Sequence, residues 1–448
     1  MPAAEAPPRS GRDAATRAIA RLAARYPDLP PLSIDDAGLE RREAAFAHAI
    51  TSAVCRRWLT LSFLIEEASG RRLAALDGSV RAALLAGAAQ LVLLDRVPAH
   101  AAIDETVEWT KRFGVRNAAG LVNAVLRKVA ALAPADAPRR ATWSDARDEL
   151  PRADGSARPL ASEVLPADAD KRLSIAASVP RELLQKWQAD AGHDAARERA
   201  LHALVHPPTV LNTAHAEKPL PDSLAAHEQA GSHIVAIGTD PRAVLAHRSD
   251  VWAQDATSAA ALGVALGLAP STVIDVCAGR GTKTRQLAAI FRDAEIIAAE
   301  VDTDRLEDLR TTFSDHPRVR VCHGDDLARG DAAAADVVLL DVPCSNTGVL
   351  ARRPEARYRF GTGQPERLAR TQRQILASAL ELLSPAGRIL YSTCSLEPEE
   401  NGAVVAWAED RLGLRCERRQ FIEPRGKPGD PPTQYHDGGF AALLTRSP

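Results

Sequence analysis

From about Arg12 to Leu132 the apolar positions recur at helical spacing. Val80, Leu84, Gly87, Leu91 and Leu94 share one face, and charged side chains fill the remaining positions. The pattern predicts an all-helical bundle broken at Pro27, Pro30 and Pro31, and at Gly70, Gly78, Pro98 and Gly114. Residues 133 to 170 are rich in Pro, Ala and Asp and hold no period, which reads as a linker or an extended surface segment. Between 171 and 250 the signal is mixed, with a helix around Glu182 to Gln188, a strand entered at HPPTVLNT and a β-like SHIVAIG. From Val251 onward short β-rich runs alternate with helical segments: TVIDVC (272–277), EIIAAE (295–300), RVRVC (318–322), DVVLLD (336–341) and GRILYST (387–393). Repeated β-α units build a parallel sheet with helices on both faces, and ligands then sit at the carboxyl ends of the strands. The expected architecture is multidomain. An all-α domain covers 1–134, a linker 135–170, a small α/β connecting domain 171–250, and an α/β Rossmann-like domain 251–448.

Composition changes this picture little. A chain of 448 residues exceeds one ordinary core, and 46% hydrophobic with 25% charged residues is globular. A formal net charge of −2 gives no global field for phosphate, so an RNA partner would have to bind a local basic surface. The amino-terminal residues lack a signal-type apolar region, and no run of about 18 uncharged apolar residues occurs. A soluble, cytoplasmic protein is expected, with no membrane partner. The cysteines at 55, 277, 322, 344, 394 and 416 form no C-x-x-C pair and meet no histidine at zinc-ligand spacing, so no metal is expected. They read as free thiols; Cys55, Cys322 and Cys416 as small buried hydrophobes.

Chemistry gathers at the predicted strand ends. TVIDVC runs into Cys277, Ala278, Gly279, Arg280, Gly281, Thr282 and Lys283 and then a helix, so the glycines let backbone approach a ligand closely. Glu300 ends the second strand about twenty residues on, where a carboxylate can accept ribose hydroxyls. Asp325 and Asp341 end the third and fourth strand regions. A dinucleotide site would carry a third glycine over a pyrophosphate; here Thr282 and Lys283 stand instead. S-adenosylmethionine, which has no phosphate, fits better as the cofactor.

Asp341-Val-Pro-Cys344-Ser follows one strand, and Tyr391-Ser-Thr-Cys394-Ser-Leu-Glu-Pro-Glu-Glu-Asn401 the next. Pro343 holds the chain in an extended turn, an odd device for a cysteine that only fills core. Cytosine carbon 5 is a poor nucleophile, and methylating it calls for a thiolate to add first at carbon 6. Cys394 would need a cation or helix amino terminus to favour its thiolate, and a helix beginning near Pro398 would supply one. Asp341 can hold the protonated ring nitrogen 3 or the exocyclic amine, and Cys344 can take the carbon-5 proton.

D-V-C-A-G-R-G-T-K-T, L-L-D-V-P-C-S-N-T-G-V-L-A-R-R-P-E and Y-S-T-C-S-L-E-P-E-E-N resemble the motifs of the RsmB/Sun (Fmu) family, bacterial 16S ribosomal RNA cytosine-5 methyltransferases. Residues 80 to 130 resemble the helical domain of the antitermination factor NusB: a helix ending at a Val-Pro turn, a helix with Glu105 and Lys111, then G-L-V-N-A-V-L-R with Asn123 and Arg127 one turn apart. The resemblance implies a class I S-adenosylmethionine methyltransferase fold and small-subunit ribosomal RNA as partner. It makes Cys394 the nucleophile, Cys344 the residue of product release, and Cys277 to Lys283, Glu300, Asp325 and Asp341 the cofactor contacts. The family's usual C-A-A-P-G-G-K loop carries Arg280 and Thr282 here. Arg352, Arg353, Arg357 and Tyr358 just after Cys344 are expected to form a basic, aromatic lip that stacks an unpaired base. A monomer is expected. Competing readings are an inactive RNA-binding platform, or a tRNA, DNA or protein acceptor; the T-C-S-L-E-P-E-E-N segment favours RNA.

Overall fold

In the computed structural model, which describes residues 7–447 apart from 115, 247, 328–333 and 362, the chain divides into two compact units. One holds the chain up to His206 with Leu350–Gly361 and Lys427–Gly429; the other holds Pro207–Val349, Thr362–Gly426 and Asp430–Pro448.

The first unit is helical. Gly11–Arg25, Arg41–Arg56, Trp58–Ser69, Gly78–Leu93, Ala99–Phe113 and Ala119–Leu132 form the bundle that the periodicity predicts, and Ala169–Ala177, Arg181–Ala191 and His193–His202 follow. The breaks have local causes: Gly70 ends one helix in the left-handed conformation, and the Asp77 side chain caps the next at Ser79 N–H. Gly78–Leu93 is buried on nearly every side, packed with Leu61, Leu64, Ile65, Val122 and Leu126, and each such aliphatic side chain stabilises by about 1.5–3 kcal/mol. Arg127 does meet Asn123, at 3.2 Å.

The stretch expected to be a linker is folded. Glu149–Pro151 pairs antiparallel with Ala157–Pro159, and Leu150, Leu160 and Leu165 enter the helical core. Composition and periodicity do not show this because the fold is held by charges paired inward. Glu149 is buried and accepts from Ser144 N–H, its hydroxyl and Arg140, while Arg158 donates to the carbonyls of Leu91 and Ala133.

In the second unit a four-stranded antiparallel sheet runs Leu224–Ala226, Ser232–Val235, Val210–Asn212, Trp252–Ala253. The segment expected to be one connecting domain thus falls in both units: its helices up to 202 lie in the first and its strands in the second.

A seven-stranded sheet dominates this unit, in the order Leu414–Ile422, Gly439–Arg446, Leu383–Thr393, Ala335–Asp341, Thr272–Asp275, Glu295–Glu300, Val319–His323. The five strands predicted from TVIDVC to GRILYST run parallel, and Gly439–Arg446 runs antiparallel between the last of them and the edge. Their runs of Val, Ile, Leu and Ala are buried on both faces, as a covered parallel sheet requires. The two carboxyl-terminal strands carry no clear strand signal: four of the nine residues of the edge strand are charged, and FAALL has no strand period.

A chain of amides ties the small sheet to the helix Thr282–Ile290. Asn212 and Trp252 donate to Gln254, Gln254 to Gln286, and Gln286 to the carbonyl of Ala259. Among the described residues no helix is long and apolar enough to cross a membrane.

Candidate active site

The parallel strands deliver Asp275, Glu300, His323, Asp341 and Thr393 to one edge of the sheet, in the registers Asp275 to Ala298, Glu300 to His323 and Asp341 to Ser392. After Thr272–Asp275 the chain turns through Cys277 to Gly281 into its helix. Gly281 sits at φ +84, and a β-carbon there would lie 2.4 Å from the Phe313 ring and 2.8 Å from Leu309 Cδ1, so only glycine fits.

Glu300, expected to face a ribose, braces this loop. Its carboxylate is buried and accepts the N–H groups of Gly279, Val301 and Asp302, each at 2.9 Å. Val301 beside it leaves 64% of its surface open, an apolar face at the sheet edge. Asp325 is exposed, with its N–H on His323 Nδ1. Ala278 is buried, and Thr282 is exposed at the first turn of the helix. Cys277 is partly buried, and its surroundings, burial first, push the thiol up to about 12. Arg280 turns away to an exposed ion pair with Asp308 at 3.0 Å, so only its backbone takes part in the loop.

Lys283 does more than open the helix. Its ammonium lies 2.8 Å from Asp341 Oδ2. Burial opposes the charge, but the Asp341 carboxylate, with Cys394 also contributing, outweighs it and raises the ammonium above its ordinary value. Asp275, which sequence reasoning passed over, is wholly buried: Thr284 Oγ1 donates to one carboxylate oxygen at 2.7 Å, and the other has no partner among the described residues. Burial pushes this carboxyl up to about 7. Its place four residues before Gly279, at the head of a D-x-x-x-G-x-G run, was the available signal.

The two thiols meet. Cys344 Sγ and Cys394 Sγ are 3.0 Å apart, and Cys394 Sγ lies 3.2 Å from Asn346 Oδ1. Asn346, also unforeseen, adopts a left-handed φ of 62, a conformation asparagine tolerates, and its amide donates to the carbonyl of Cys344. The hydrogen bond with Cys394, followed by burial, raises the Cys344 thiol well above the ordinary range. Gly348 lets the loops touch: its N–H donates to the Cys394 carbonyl at 2.9 Å, and a β-carbon would meet the Gly438 carbonyl oxygen. The helix expected near Pro398 begins at Gly402, and Cys394 is among the groups that raise the Lys283 ammonium.

The expected lip is only partly a surface. Arg353 is exposed and Arg352 half-buried, but Arg357 is 0% exposed inside the helical unit, donating to the carbonyls of Arg56, Ala177, Ser178, Ala203 and Leu350. Tyr358 is buried with it, its hydroxyl bonded to the Cys55 carbonyl and its ring against Tyr26 and Trp58. Neither can stack a base. The carbonyls left by helix ends and turns draw this arginine inward, as water would otherwise have to satisfy them.

Residues 266–442 match the family model described as 16S rRNA methyltransferase RsmB/F, and residues 11–131 match the NusB family. The chain is 29% identical to ribosomal RNA small subunit methyltransferase B of Xanthomonas campestris, over 91% of its own length and 90% of the relative's. It is 31% identical to a protein of Mycobacterium tuberculosis named as a methyltransferase without further assignment, over 88% and 85%. The crystal structure of PH0851 superposes with a TM-score of 0.68 at 20% identity, covering 97% of this chain and 99% of that one, a likeness of fold.

Proposed function

The chain belongs to the RsmB/F family of 16S rRNA methyltransferases, with a NusB-family domain ahead of the catalytic region, and from that premise we propose that it transfers a methyl group from S-adenosylmethionine to carbon 5 of a cytosine in small-subunit ribosomal RNA through a covalent cysteine adduct. The observation that carries this reading is the pairing of Cys344 and Cys394 at 3.0 Å beside the Lys283–Asp341 ion pair, on the sheet edge that also holds Glu300.

Cys394 is the nucleophile that adds to carbon 6, loading electron density onto carbon 5. Asp341, held by Lys283, accepts from the protonated ring nitrogen 3 or from the exocyclic amine of the base and stabilises the charge that develops there. Cys344 serves release: as thiolate it takes the carbon-5 proton, the C5–H electron pair re-forms the 5,6 double bond, and the Cys394 bond to carbon 6 breaks with its electron pair leaving on the Cys394 sulfur.

S-adenosylmethionine supplies an electrophilic methyl group. The residues present fit it: the turn at Gly279 leaves backbone open, Glu300 and Asp325 offer carboxylates, Val301 offers an apolar face, and the oxygen of Asp275 that has no partner among the described residues offers an acceptor toward a cation. Arg280 does not obstruct the loop, since its side chain leaves for Asp308. RNA binding falls to Arg352 and Arg353 and to the NusB-family domain, as positioning contacts to phosphate.

The test is transfer of labelled methyl from S-adenosylmethionine to unmodified small-subunit ribosomal RNA, with mapping of 5-methylcytosine. Wild type should label a single cytosine. Cys394→Ser should lose activity, and Cys344→Ser should accumulate a covalent RNA adduct; the reverse pattern overturns the assignment.

A further inference from the structure

Glu400 touches neither thiol, yet its carboxylate reaches both thiol loops. It is 0% exposed. One oxygen accepts the Ser345 backbone N–H and the Gln372 amide, each at 2.9 Å, and the other accepts the Ser395 hydroxyl at 2.8 Å. Ser345 follows Cys344 and Ser395 follows Cys394, so one side chain grips the residue after each thiol. The two serine hydroxyls, 3.0 Å apart, close the ring.

The grip is anchored to the scaffold. Tyr391, on the strand that leads to Cys394, donates its hydroxyl to the Glu400 carbonyl at 2.6 Å and to Gln372 Oε1 at 3.1 Å. Gln372, on the helix Gln364–Ala379, also donates to the carbonyl of Pro343, directly before Cys344. Among the described residues every donor to the carboxylate is neutral. A buried carboxylate met only by neutral donors is a costly way to fill a core, where an apolar side chain would serve stability better. Such a group is retained where it fixes a geometry.

We propose that Glu400 is the positioning residue that sets the spacing of Cys344 and Cys394, by clamping the backbone after one and the hydroxyl after the other. The chemical purpose of that spacing rests on the methyl-transfer reading; the spacing itself can be measured without it.

Diamide provides the probe. It removes two electrons and two protons from a pair of thiols, forming one S–S bond and becoming a hydrazine, and the Cys344–Cys394 disulfide peptide is counted by mass spectrometry. Glu400→Gln should behave much as wild type, because the carboxamide oxygen keeps the Ser345 and Gln372 bonds while its amide donates to Ser395 Oγ. Glu400→Ala should cross-link at least about tenfold more slowly and lose about a hundredfold in single-turnover methyl transfer, the penalty of a misplacement near 1 Å, while cofactor Kd moves less than about twofold. Should the alanine variant not fold, Ser395→Ala removes one jaw of the clamp and carries the same expectation. Cross-linking of Glu400→Ala, or of Ser395→Ala in its place, at the wild-type rate overturns the proposal, as does a glutamine variant as damaged as the alanine one. A wild-type protein that cross-links but transfers no methyl would sink the methyl-transfer reading alone; the cross-linking rates would still decide the role of Glu400.

Discussion

Asp275→Asn should stabilise the catalytic unit, and by an amount that grows with pH. The folded protein holds this carboxyl near 7 against an ordinary 3.8, burial being the chief cause, with the Thr284 hydroxyl and Lys283 pulling down and Asp341 and Glu300 adding to the rise. Below about 4 the group is protonated in both folded and unfolded chains and contributes nothing to the balance. Between about 4 and 7 the unfolded chain has released a proton that the folded chain keeps, so stability falls as pH rises. Above 7 the whole cost of a buried carboxylate stands. Three pH units at 1.36 kcal/mol each put the ceiling at about 4 kcal/mol. Asparagine keeps the shape and the acceptor for Thr284 without titrating. Its advantage over wild type should therefore be small at pH 4.5 and rise toward about 4 kcal/mol by pH 8, on the order of 10 °C in the Tm of a unit this size. Scanning calorimetry of both proteins, without cofactor, at steps from pH 4.5 to 8 measures it. Saturating S-adenosylmethionine, whose positive charge favours the ionised carboxylate, should flatten the wild-type dependence. A difference in Tm that is constant across this range, or that widens toward acid, refutes the reasoning.

Other expectations follow from single contacts. Arg357→Ala should destabilise the helical unit by about 3–5 kcal/mol in urea unfolding, since five carbonyls lose a buried donor. Arg353→Ala should stay within about 0.5 kcal/mol and instead weaken RNA binding, with a shallower salt dependence. Equal stability loss in the two would contradict the burial that separates them. Gly348→Ala should abolish methyl transfer while leaving cofactor affinity near wild type, because the added carbon collides with the Gly438 carbonyl between the thiol loops, not in the cofactor loop. Lys283→Met should cut kcat by about a hundredfold; a loss confined to cofactor Kd would show that Lys283 serves the cofactor and not Asp341 and Cys394.

Much of the molecule follows from local pattern. Helical spacing and Gly and Pro punctuation are sufficient for the breaks of the bundle, and buried runs of Val, Ile and Leu for five parallel strands. Residue type and strand-end position single out Cys344, Cys394, Asp341, Glu300 and the glycine loop. These features depend on neighbours a few residues away, or on chemistry that only certain side chains perform.

Tertiary structure decided where charged and polar side chains went. Arg357 reads as a solvated loop residue until its carbonyl partners, one of them 301 residues away at Arg56, surround it. Residues 133 to 170 look like a linker because they are rich in Pro, Ala and Asp and hold no period, yet they fold, with Glu149 and Arg158 met by donors and carbonyls. Lys283 finds Asp341 across 58 residues, and Cys344 finds Cys394 across 50. Whether a polar group is solvated or buried depends on whether distant backbone and side chains complete its hydrogen bonds, and one stretch of sequence does not contain that information.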